Sequence, residues 1–172
     1  VWDWEKVMGA GVSSEPTMQI GSGKEQGVGV AMNGDGGIVT YGPKHAKMWS
    51  VKEGALQSKP GKFGMKDPAP KAILCCAFDG DGMVVVGGDN GQVYFFDFEG
   101  VLKNKVSAHD GAVTGLVRVD GDAPFISGGF DGKLKMWSPK FELTGEVELC
   151  TSEAVLAGAA MGQDMKGVRG SV

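Results

Sequence analysis

Apolar positions along this chain fall in short runs rather than long stripes. Lys133-Leu134-Lys135-Met136 alternates polar and apolar, the period of two that marks a half-buried strand. Three apolar runs, Ile38-Val39-Thr40-Tyr41, Met83-Val84-Val85-Val86 and Phe125-Ile126-Ser127, are each followed by a glycine-containing turn. A second run then follows: Ala46-Lys47-Met48-Trp49, Gln92-Val93-Tyr94-Phe95-Phe96 and Lys133 to Trp137. Ahead of each pair lies another apolar run, at 28–32, 73–78 and 113–119. These runs close with Asn33-Gly34-Asp35-Gly36, Asp79-Gly80-Asp81-Gly82 and Asp120-Gly121-Asp122. Asn-Gly and Asp-Gly are strong hairpin signals because primed turns need positive φ. The pattern predicts three antiparallel strands per unit, a, b and c, with a weaker strand d leading to the next unit.

The units recur. Val1-Trp2-Asp3, Met48-Trp49-Ser50, Phe95-Phe96-Asp97 and Met136-Trp137-Ser138 share one ending, with aromatic steps of 47, 47 and 41 residues. Four short strands per ~40–45 residues describe the blade of a β-propeller. The expected fold is all-β: a partial β-propeller of three complete four-stranded blades, with partial blades at both ends. Residues 1–26 supply strands c and d of a preceding blade, with d near Thr17 to Ile20. Residues 27–70 form a blade with a long basic linker, 71–110 a second blade and 111–150 a third. Residues 151–172 begin a further blade, with a strand near Val155 to Ala160, or form a tail. A four-bladed closure would pair the two chain ends, but Gly162 to Val172 makes a poor strand b. The opening Val1 reads as the start of a stretch cut from something longer. The 30 glycines among 172 residues fit many tight turns and leave few windows for helices.

These residues resemble WD repeats. The third unit matches best, from Ala108-His109-Asp110-Gly111 through Ser127-Gly128-Gly129-Phe130-Asp131-Gly132 to Leu134-Lys135-Met136-Trp137. The resemblance implies that His109, Ser127, Asp131 and Trp137 form a hydrogen-bonded structural tetrad, in which each buried polar group finds a partner. Unit two has Asn90 and Phe96 at the Asp and Trp positions and no His. Unit one has Pro43-Lys44 in its b–c turn. Both are expected to rely more on packing. A narrower resemblance lies in Gly42-Pro43-Lys44-His45-Ala46-Lys47-Met48-Trp49, then Lys62-Phe63-Gly64, Pro70 to Phe78 and Gly88 to Tyr94. In order and spacing this is similar to the echinoderm microtubule-associated protein-like family. That resemblance implies atypical propellers and a cytoskeletal or axonemal scaffold.

Charge adds one feature. The chain carries 17 Lys and Arg against 21 Asp and Glu, a net −4, which argues against wholesale nucleic-acid binding. Between Pro43 and Ala72, seven lysines oppose Glu53 and Asp67, so this segment is +5 and the remainder −9. Residues 54–70, with three prolines, are expected to replace a clean strand d and project as a loop. Lys44, His45, Lys47, Lys59, Lys62, Lys66 and Lys71 are its candidate partner-binding residues, suited to an acidic surface such as tubulin tails. Three cysteines, Cys75, Cys76 and Cys150, fit neither a disulfide framework nor a zinc knuckle and read as reduced and buried.

No enzyme signature survives. Gly21-Ser22-Gly23-Lys24-Glu25 lacks the Ser or Thr and the first glycine of a phosphate loop. The Asp-Gly turns are too short for a calcium loop. No catalytic residue, cofactor or metal is expected, and no apolar run reaches the ~20 residues of a spanning helix. The expected function is a non-enzymatic scaffold meeting microtubules or other subunits of a large assembly, in the cytoplasm, cytoskeleton or cilium. The alternative is a generic WD-repeat interaction adaptor in another complex.

Overall fold

The computed structural model describes residues 26–149, except 54, 65–68, 80–81, 119–124 and 139. The strands expected near Val1 to Asp3, Thr17 to Ile20 and Val155 to Ala160 lie outside the described residues, as do Lys66 and Cys150. Within them the secondary structure is all strand. Sheet 1 contains β1 (Gly29–Met32), β2 (Ile38–Gly42), β3 (His45–Lys52) and β4 (Ala55–Pro60). Sheet 2 contains β5 (Ile73–Phe78), β6 (Val84–Gly88), β7 (Gln92–Phe96) and β8 (Leu102–Ser107). Sheet 3 contains β9 (Val113–Arg118), β10 (Phe125–Gly129), β11 (Lys133–Trp137) and β12 (Leu143–Glu148). Each sheet pairs its strands in chain order, and every pairing is antiparallel.

Asx side chains close the two described a–b turns. Asn33 Oδ1 accepts the Gly37 N–H at 2.6 Å, and Asp79 Oδ1 accepts the Met83 N–H at 2.6 Å. Asp97 does the same in a c–d turn, accepting the Val101 N–H at 2.8 Å. A carboxylate or amide at the first turn position offers the backbone a local acceptor, which is why these residues favour turns.

The sheets stand face to face like adjacent blades. Sheets 1 and 2 enclose a core of Val39, Met48, Ile73, Val84, Val86 and Phe96. Sheets 2 and 3 enclose Cys75, Val85, Phe95, Val113, Phe125 and Trp137. Val84 and Val86 thus serve one core while Val85 serves the other, so β6 is apolar on both faces and buried throughout. Burying each such side chain contributes about 1.5–3 kcal/mol. The inner strands β1, β5 and β9 approach one another and line a groove that includes Met32, Cys76, Phe78 and Arg118.

One expectation needs correction. Within the 54–70 segment, expected to replace strand d with a projecting loop, Ala55–Pro60 form a regular strand d: β4 pairs with β3 from Lys52↔Ala55 to Lys47↔Pro60. Glu53 takes a left-handed φ of 51° in the connecting turn, although it is neither Asn, Asp nor Gly. Pro60 ends the strand, where a missing N–H costs least. The chain then stays against the body. Gly61 N–H donates to the Ala46 carbonyl (2.8 Å) and Lys62 N–H to the Gly100 carbonyl (2.9 Å). Phe63 stands edge-on to both Tyr94 and Phe96, with centroids 5.1 Å away in each case.

Candidate functional site

Sheet 3 brings its four polar residues into one chain of hydrogen bonds. β10 carries Ser127, β11 carries Trp137, the turn between them carries Asp131, and His109 precedes β9. Trp137 Nε1–H donates to Ser127 Oγ at 2.8 Å. Ser127 Oγ lies 2.8 Å from His109 Nε2, and His109 Nδ1 lies 2.9 and 3.0 Å from the two Asp131 oxygens. With the imidazole proton on Nδ1, the indole donates to the hydroxyl, the hydroxyl to Nε2 and Nδ1–H to the carboxylate. Every buried polar group is then satisfied.

Asp131 is also held from the backbone, by the N–H groups of Asp110 and Lys133, each at 3.2 Å. Burial alone would raise its pKa. The hydrogen bonds from His109 and the two amides outweigh that and hold the carboxyl below its ordinary value. His109 is fixed on its other side by sheet 2. Its N–H, and that of Ala108, donate to the Gly91 carbonyl at 3.0 and 2.9 Å. Gly91 sits at φ 76° in the β6–β7 turn, and a Cβ there would collide with the His109 carbonyl. The arrangement is closed on itself: His109 and Ser127 are buried and each of its polar side chains has a partner within it.

The other sheets carry reduced versions. In sheet 1, Trp49 Nε1–H donates to Thr40 Oγ1 at 2.8 Å. Thr40 and Trp49 occupy the places of Ser127 and Trp137, since the register pairs Ile38 with Trp49 as it pairs Phe125 with Trp137. Sequence reasoning missed this pair; a hydroxyl two residues into strand b, with a Trp on strand c facing the start of that strand, was the available signal. In sheet 2 the same places hold Val86 and Phe96, both buried. A separate bond runs from Asn90 Nδ2–H to the Tyr94 hydroxyl at 2.8 Å.

The basic candidates do not form one patch. Lys44 and Lys71 are exposed neighbours, with Lys44 N–H donating to the Lys71 carbonyl at 3.0 Å. His45 lies beside them, its Nδ1 3.1 Å from the Pro43 carbonyl. Lys59 is elsewhere, on β4, ion-paired with Glu99 of sheet 2. Lys62 follows it, exposed and tied by its backbone to Gly100. Lys47 is half-buried on β3. Among the described residues no cluster of three or more His, Cys, Asp or Glu could hold a metal, and no helix is long and apolar enough to cross a membrane. Cys75 is buried and Cys76 half-buried, not fully buried as expected. Burial pushes both thiols up to about 12, which keeps them protonated and poorly nucleophilic.

The WD domain, G-beta repeat family matches residues 65–97 and 100–138. Human echinoderm microtubule-associated protein-like 2 is 31% identical over 114 residues, covering 65% of this chain and 17% of that protein. The 77 kDa echinoderm microtubule-associated protein of Strongylocentrotus purpuratus is 29% identical over 150 residues, covering 83% and 20%. The chain therefore spans about a fifth of these relatives' length. Among solved structures, the RRP9 WD40 repeats superpose with a TM-score of 0.61 at 19% identity, covering 72% of this chain and 39% of that one. The WD40 β-propeller domain of Doa1 does so with 0.61 at 17%, covering 73% and 41%. The structural likeness shows the fold, and the sequence likeness narrows it: the chain carries WD repeats and resembles the echinoderm microtubule-associated protein-like family.

Proposed function

We propose that this WD-repeat protein is a non-enzymatic scaffold associated with microtubules, in the cytoplasmic or ciliary cytoskeleton. The observation that carries the reading is the similarity to microtubule-associated relatives over 65–83% of the chain. The exposed Lys44–Lys71 pair, with His45 beside it, is the described basic surface best placed to meet an acidic partner. Lys59 is a poorer candidate because Glu99 already neutralises it. The His109 network supports a structural role, since its groups satisfy one another.

Co-sedimentation with purified microtubules tests the proposal. The chain pellets with microtubules, pelleting weakens as salt rises, and the double substitution Lys44→Glu, Lys71→Glu removes it. Lys59→Ala leaves it unchanged. Equal pelleting by the double variant would remove the basic pair from the proposal, and no pelleting by the parent chain would remove microtubules from it.

A further inference from the structure

Two Asn-Gly pairs lie in turns of the chain, Asn33-Gly34 and Asn90-Gly91. The side-chain amide of such an asparagine is open to attack by the backbone nitrogen of the glycine, which no Cβ shields. The two pairs are held in opposite ways. Asn33 opens the turn between β1 and β2. Its Oδ1 accepts two backbone N–H groups, from Gly37 at 2.6 Å and Asp35 at 3.1 Å. Those donors face the oxygen on which negative charge develops when Cγ is attacked, the arrangement of an oxyanion hole. The Asn33 Nδ2, which would leave, and the Gly34 N–H, which would attack, make no hydrogen bond among the described residues. Gly34 is exposed, and a Cβ placed on it would meet nothing within 4 Å. Asn90 is the converse. Its Nδ2–H donates to the Tyr94 hydroxyl at 2.8 Å, and its Oδ1 accepts only the Gln92 N–H, at 3.3 Å. The Gly91 N–H is already donated to the Gly88 carbonyl at 3.3 Å, and Gly91 is buried against the His109 carbonyl.

We propose that Asn33 is a site of spontaneous deamidation and that the fold protects Asn90 from the same reaction. The Gly34 nitrogen gives its proton to a base in solvent and bonds to Asn33 Cγ. The Cγ–Nδ2 bond breaks, and the amide nitrogen leaves as ammonia with a proton from water. A second water opens the cyclic imide at one carbonyl or the other, leaving aspartate or isoaspartate at position 33. The two products differ in what they do to the turn. Aspartate keeps it, since Asp79 closes the equivalent turn of sheet 2 by accepting the Met83 N–H at 2.6 Å. Isoaspartate routes the backbone through the side-chain carbon and adds a methylene to the chain. The bond from the Asn33 N–H to the Gly37 carbonyl, now 3.0 Å, and the bonds to Oδ1 can then no longer be made together. Both products are carboxylates. Asn33 lines the groove shared with Asp79 and Arg118, so either one places a new negative charge there.

Ageing of the folded 172-residue chain in mildly alkaline buffer, followed by digestion at acid pH and peptide mass spectrometry, tests this. The peptide holding Asn33 gains the mass of an NH2-to-OH exchange several-fold faster than the one holding Asn90. It also becomes a substrate for isoaspartyl methyltransferase. In urea the difference between the two peptides collapses, because the fold sets it. Gly34→Val abolishes the conversion at Asn33 with unchanged circular dichroism, since its side chain enters open space. An unconverted Asn33, or an Asn90 that converts as fast, overturns the proposal. So does a difference that persists in urea, or conversion that survives Gly34→Val.

Discussion

Sheets 2 and 3 solve the same packing problem with different chemistry. At the positions where sheet 3 sets Ser127 and Trp137 around His109, sheet 2 sets Val86 and Phe96. The apolar version rests on transfer from water and dispersion, which tolerate small misfits in direction. The polar version depends on every partner being present, because an orphaned buried donor or acceptor costs more than a made bond contributes. Both sets lie on a face covered by the preceding sheet, Val86 and Phe96 against sheet 1 and Ser127 and Trp137 against sheet 2, so the two chemistries are alternatives for the same buried place.

The largest test of this contrast is Phe96→Ala. Phe96 is fully buried between sheets 1 and 2, so the cavity should cost about 3–5 kcal/mol in denaturant unfolding. A smaller loss would mean that Phe63 and Tyr94 collapse into the space. Next comes Ser127→Ala, which leaves the Trp137 N–H and His109 Nε2 without their partner and should cost about 1–3 kcal/mol. Thr40→Val in sheet 1 breaks one bond and leaves one donor unpaired, so its cost should be the smaller of the two. Equal losses would show that the longer chain of bonds adds nothing beyond its indole–hydroxyl link.

The third test is pH. The folded Asp131 carboxyl has a lowered pKa, so its contribution is full above the unfolded value of about 3.9. It is lost as pH falls through the lower folded value. Parent stability should therefore fall more steeply below about pH 4 than that of Asp131→Asn. Parallel pH curves would remove the carboxylate from the lock.

Much of this was legible in sequence. Asn33 and Asp79 announced their turns because an Asx side chain acts on its own neighbours, whereas the Asp97 turn emerged only in the structure. The His109, Ser127, Asp131 and Trp137 positions came from the resemblance to WD repeats, and the structure brings those four side chains together. β4 was hidden because Glu53 in its turn is not a usual left-handed residue, and because Pro60 suggested a loop. The Lys59–Glu99 pair was also hidden: its partners are 40 residues apart and meet only when sheets 1 and 2 pack. Nor could spacing distinguish Met136 from Phe95. The two occupy the same place in the repeat, and only the presence of the next sheet decides which is covered.

The Gly91 turn has a consequence for how the protein is made. Its carbonyl receives the N–H groups of Ala108 and His109, so the lock of sheet 3 is anchored on a turn belonging to sheet 2. Synthesis runs from the N-terminus, and that turn leaves the ribosome before the histidine it will hold. The acceptor that positions His109 is thus synthesised ahead of it, 18 residues upstream in the chain.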